Sequence, residues 1–387
     1  MSRFIVSVAT AWLLMFLSAV EADQIGQFIL TDNRPVAEAN SKIVTETSWL
    51  LTEPSGQSIG LHRYAVQGEK PVASVLYLPG TNMNGSLKVT DESHNLWLFL
   101  AGRGIAVFTL DYRTHALSHD FEGELDFMRD WTTDLFVEDA VSATSKAMEE
   151  HPGVPLYLAG FSRGALFAYA LTGQVDAAGV IALDGSIKHY REKPFDLAAA
   201  LQKFDEEAVY STVLSRRGFR GRDELMRRAV DEPDAPASDD RFDSAAAELA
   251  ASLYRAWGPG VLTNVEDDLS PLPVLATELR AYDWFYPSIQ DIEARSMAST
   301  ADDPNTYVDD HLGRRTVPVL YFGSSRTGAE SLLNGIYSAK LVGGDDVTIS
   351  VLENYGHLDV LFANKAVSDV YTPILNWIMD DLPSAAD

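Results

Sequence analysis

The chain has 387 residues, 46% of them hydrophobic, no cysteine, and 56 acidic against 30 basic side chains for a net charge of −26. Such a chain can bury a sizeable core, so disorder throughout is excluded, and the lack of cysteine excludes disulfides, thiol nucleophiles and thiolate metal sites. The acidic balance argues against nucleic-acid partners, whose phosphates need cations, and against a strong pull toward anionic lipid.

The chain opens with basic Arg3, an apolar run from Phe4 to Leu17, and the small residues Val20 and Ala22. That order predicts a removable export leader over residues 1–22, cut after Ala22. The run is shorter than the roughly 20 residues that span a bilayer, so no stable membrane anchor is expected. Lys42 to Thr52 and Ser58 to Gln67 read as two strands around Pro54-Ser55-Gly56, forming an antiparallel edge. Val72–Leu78, Gly104–Leu110, Pro155–Ala159, Gly179–Leu183, Val317–Phe322 and Val347–Leu352 are short apolar runs of the kind buried on both faces of a parallel sheet. Helical patterns such as Asp134 to Glu150, with Leu135, Ala140, Ala143 and Ala147 on one face, separate them. The class is therefore α/β, a mostly parallel sheet with helices on both faces. Residues 187–315 break the rhythm with helical propensity and no convincing strand, so the core reads as 23–186 plus 316–387 with an insertion over one end. Asp231 to Asp243 within it should be a solvated loop.

Gly160-Phe161-Ser162-Arg163-Gly164 lies between a strand and a helix. In that setting G-x-S-x-G puts a serine on a sharp turn, at the start of a helix whose dipole favours negative charge. A serine needs a base, and of the eight histidines only His357 follows the last strand, at the same sheet edge as Ser162. For the acid, Asp184 directly after Gly179–Leu183 comes first and Glu330 second; Asp359 is too near His357 in sequence to orient its ring. Backbone N–H groups of Arg163 and Thr81 are the candidate oxyanion donors, with Asn82 close by. Gly80 and Gly85 have phosphate-loop spacing, but Ser86-Leu87 stand where a lysine and a hydroxyl residue belong. Trp284 and Phe285 read either as an apolar substrate pocket or as core of the insertion. The arginines at 216, 217, 220, 222, 227 and 228 read as a solvated helix paired to acids before an anion site. His115 and His119 lack a third spaced ligand, so no metal and no cofactor is expected.

Gly160 to Gly164, Leu78-Pro79-Gly80 and the late histidine together resemble the α/β-hydrolase superfamily, and Tyr355-Gly356-His357-Leu358-Asp359 is similar to the histidine segment of its acid-lipase branch. The resemblance covers about 42–186 and 316–383. It implies an α/β-hydrolase fold with a helical cap, and a Ser–His–acid hydrolase acting on a small-molecule ester through an acyl-enzyme. A non-catalytic member of the fold, binding a small apolar ligand under the cap, is the alternative.

Overall fold

A computed structural model describes residues 26–53, 56–211, 216–299, 307–314 and 316–382. The leader expected at residues 1–22 lies outside them. Nine strands form one sheet in the order β1-β2-β3-β5-β4-β6-β7-β8-β9. They are β1 (Phe28–Ala39), β2 (Lys42–Thr52), β3 (Ser58–Val66), β4 (Ala73–Leu78), β5 (Ile105–Asp111), β6 (Leu156–Phe161), β7 (Gly179–Leu183), β8 (Val319–Ser324) and β9 (Val347–Leu352). The strands from β5 through β9 run parallel, and β1, β2 and β3 add antiparallel pairs on the β5 side.

Every residue of β4 to β8 is buried, because helices cover both faces. Side chains alternate between two cores. Val75 and Tyr77 face α1 (Leu96–Ala101), while Leu76 and Leu78 face α2 (Thr133–Glu150) and α3 (Arg163–Leu171). Each large apolar side chain so buried stabilises the fold by about 1.5–3 kcal/mol. Between β7 and β8 the chain forms α4 (Leu197–Glu207), α5 (Arg216–Asp231), α6 (Ala245–Arg255), α7 (Leu272–Arg280) and α8 (Ile289–Ser299). Asp196 and Ser244 cap α4 and α6 by accepting from the N–H groups of Ala199 and Ala247. After β8 come α9 (Ala329–Gly343), the single turn α10 (Asp359–Phe362) and α11 (Thr372–Asp381).

Two expectations change. The β2–β3 hairpin is not the sheet edge, because β1 pairs along β2, with register shifts at Leu30/Asp32 and Pro35/Ala37. The polar, proline-containing run Asp32-Asn33-Arg34-Pro35 hides that strand from a pattern reading, and proline is tolerated there because β1 is an edge. β9 is the other edge and is not buried on both faces; Ile349 and Val351 are exposed. Among the described residues no helix is long and apolar enough to cross a membrane.

Candidate active site

Ser162 sits at the C-terminal end of β6 with φ 54° and ψ −120°, a strained conformation held by its backbone N–H donating to Leu183 O at 2.9 Å. The flanking glycines make the turn possible. A methyl group at Gly160 would overlap the Gly164 carbonyl, and one at Gly164 would overlap the Leu78 carbonyl. Gly185 likewise leaves room for the Ser162 carbonyl. The hydroxyl-bearing residue therefore stands clear of the sheet at the N-terminus of α3.

Asp184 ends β7 in a left-handed conformation, φ 48°. Its N–H donates to Phe322 O, its Oδ1 accepts from Ser324 N–H at 2.9 Å, and its Oδ2 lies 2.6 Å from His357 Nδ1. The side chains of Asp184 and His357 are only 4% and 12% exposed, so little water competes for that bond. A carboxylate there accepts from Nδ1–H, which leaves the neutral ring with its lone pair on Nε2. The ring packs against Phe161 at 4.7 Å and Trp257 at 5.5 Å. Glu330, the second candidate acid, lies elsewhere: it is 57% exposed and pairs with Lys193, which holds its carboxyl below the usual range.

The loop after β4 passes directly over Ser162. A Cβ on Gly80 would stand 3.2 Å from Ser162 Cβ. Neither the Thr81 nor the Arg163 backbone N–H has a partner among the described residues, which leaves both available to an incoming oxygen. Asn82, at φ 64°, does not face a substrate space. It exchanges two bonds with Asp283, Nδ2 to O at 2.8 Å and Asp283 N–H to Asn82 O at 2.7 Å, while Asn84 Nδ2 donates to Ala281 O. Tyr112 Oη also donates to Pro79 O, so the tract Asp111 to Arg113 serves to hold this loop.

The histidine loop is clasped to the insertion as well. His357 and Leu358 N–H groups donate to Val261 and Leu262 O at 2.8 Å. Asp359 is fully buried and accepts from Thr263 Oγ1, Asn264 N–H, Ser270 Oγ and Gly356 N–H at 2.5–2.8 Å. Its role is to fix the loop rather than the ring.

Ser162, His357 and Asp184 line one cavity of about 570 Å³ between the sheet edge and the insertion. Its apolar lining is Leu166, Ile187, Trp257, Val261 and two alanines, and apart from Gly185 the other lining residues are polar or charged. Trp284 and Phe285 are not part of it. Trp284 stacks between His119 at 4.4 Å and Phe219 at 5.2 Å, and Phe285 meets Phe121, so both belong to the core under the insertion. Trp257, 71% exposed at φ 63°, is the aromatic that does reach the cavity. Its signal in the sequence is only the turn cluster Trp257-Gly258-Pro259-Gly260. The arginine-rich helix α5 is solvated: Arg227 pairs with Glu224 and Asp231, and Arg220 lies 3.9 Å from Asp120 and Glu122. His115 bonds Asp283 at 2.7 Å, and no group of metal-binding side chains occurs among the described residues.

Residues 70–229 match the family model described as serine aminopeptidase, S33. No curated protein matches the sequence. The crystal structure of a candidate lipase from Sulfolobus solfataricus superposes with TM-score 0.72 at 23% identity, over 92% of this chain and 99% of that one. A soluble variant of monoglyceride lipase from Saccharomyces cerevisiae fits more loosely, with TM-score 0.49 at 14% identity over 85% and 94% of the two chains. A bacterial brefeldin A esterase gives 0.48 at 17% over 96% and 86%. By its nine-stranded mixed sheet and its superposition on the Sulfolobus solfataricus structure, the chain has the α/β-hydrolase fold, and residues 70–229 within it are similar to the S33 family.

Proposed function

We propose that the protein is an exported serine hydrolase that cleaves carboxylic esters of small polar molecules. The observation that carries this reading is the strained Ser162 turn on the wall of one cavity with a His357–Asp184 pair. In the proposed reaction His357 Nε2 takes the Ser162 proton as the oxygen attacks the acyl carbon. The Thr81 and Arg163 N–H groups stabilise the oxyanion, and the imidazolium returns the proton to the departing alcohol. Water, deprotonated by the same ring, then releases the acid. The few apolar lining side chains favour short or polar acyl groups over long chains.

A fluorophosphonate probe should label the folded protein at one residue, and Ser162→Ala should abolish labelling and ester turnover together. A folded wild type that takes up no probe would refute the hydrolase. Export is proposed from the order basic, apolar, small in residues 1–22. The mass of the protein recovered outside the cytoplasm should correspond to a chain starting at Asp23, and an uncut chain in the cytoplasm would refute it.

A further inference from the structure

The cavity wall opposite the sheet holds charge that the ester chemistry does not use. Helix α8 turns Asp291, Arg295 and Ala298 toward the cavity, spaced so that they share one face. Asp291 is taken by Arg163, and Asp184 by His357. Asp291 stands one turn before Arg295 and would be its natural partner, but it is already engaged. Arg295, an exposed residue, lines the cavity that contains Ser162, and its guanidinium has no partner among the described residues.

His189 lines the same cavity from the segment after β7. Its backbone N–H donates to Ala298 O at 3.0 Å, which fastens it to α8 one turn beyond Arg295. Its Nδ1 is buried and makes no hydrogen bond. Burial, helped by Lys193, lowers the pKa of the ring. An unpaired guanidinium on the wall of the cavity that contains Ser162 suits an oxygen-rich anion. One guanidinium fork matches the two oxygens of a carboxylate, and Asp291 beside it disfavours a dianion.

Resting on the hydrolase reading, we propose that the substrate is an ester with a free carboxylate on its acyl part, which Arg295 binds with His189 at its side. Half-esters of small dicarboxylic acids are the class that fits. Arg295 would then be a specificity-determining residue rather than part of the proton relay.

The test compares monoethyl glutarate with ethyl valerate, the same chain with a methyl in place of the carboxylate, by titrating released acid. The wild type should favour the half-ester in kcat/KM by about 10- to 100-fold, the worth of a charge-assisted bond. Arg295→Gln should bring the ratio to about one, Arg295→Lys should keep part of it, and Arg295→Glu should push it below one. Glutarate should also protect wild-type Ser162 from a fluorophosphonate probe where valerate does not, a result that needs no variant. A wild-type ratio at or below one, no protection by glutarate, or a folded Arg295→Gln that keeps the preference overturns the carboxylate site. Labelling of Ser162 together with any of these leaves the hydrolase standing, whereas no labelling and no turnover of either ester overturns both.

Discussion

At the scale of single residues, the question the sequence left open was the acid. Asp184 and Glu330 both follow strands that end at the site edge, and local pattern ranks them without deciding. Position in the folded sheet separates them: Asp184 is buried with one oxygen on Ser324 N–H and the other on His357 Nδ1, while Glu330 faces water and Lys193. Asp184→Asn should therefore cost about 1,000- to 10,000-fold in kcat on a p-nitrophenyl ester, because an amide no longer holds the ring in the tautomer that keeps Nε2 free. Glu330→Gln should change it less than twofold. The opposite ranking would return the role to Glu330.

At the scale of elements, the arrangement rests on clasps between the insertion and the loops that follow strands. Asp359 carries the most concentrated of these, gathering two hydroxyls and two backbone N–H groups from residues 263–270 and 356. The sequence made it a neighbour of His357, too close to orient the ring, and contained no cue to its partners nearly a hundred positions earlier. Asp359→Asn puts an N–H donor where only donors arrive. It should lower stability by about 2–3 kcal/mol, read as a fall in the urea midpoint at unchanged m-value. An unshifted midpoint would show that the clasp contributes nothing. Trp284 and Phe285 make the same point about elements. An aromatic run in an insertion reads equally as pocket or core, and stacking of Trp284 on Phe219 and His119, with an edge-on contact of Phe285 to Phe121, settles it as core.

At the scale of the whole molecule, the net charge is −26, but a pH response is set by buried charges. His62 stands between Glu46 at 2.9 Å and Asp111 at 2.8 Å, with Ser48 also on Nδ1 and Tyr64 stacked beside it. Burial opposes its charge, but the two carboxylates prevail and hold its pKa up at about 9. Burial likewise opposes ionisation of Glu46 and Asp111, yet His62 above all keeps each down at about 2. The raised histidine contributes stability that is full below its ordinary value near 6.5 and is lost as pH rises through about 9. The lowered carboxylates contribute above their ordinary values near 4 and lose it as pH falls through about 2. The thermal midpoint should therefore drop between pH 7 and pH 10, and His62→Gln should flatten that drop. A wild-type midpoint level across this range would refute the role given to His62. Because Asp111 Oδ1 also accepts from Gly85 N–H at 2.6 Å, this network supports the loop over Ser162.

The amino-acid order alone determined the class of fold, the buried parallel strands, and the place of Ser162 and His357 at one sheet edge. These depend on short-range rules: apolar runs of strand length, glycines where a turn excludes side chains, and the order in which strands and loops alternate. The edge strand β1 escaped because its polar and proline residues break the period on which those rules rely. Tertiary structure alone decided which carboxylate meets the histidine, which aromatics are core, how polar the cavity is, and which cation in it stays unpaired. Each of those is a contact between chain-distant positions, set by how β7, the loop after β9 and α8 pack together. No local pattern encodes such a meeting, because the competing partners, Asp291 for Arg163 or Lys193 for Glu330, are chosen by distance in the folded protein.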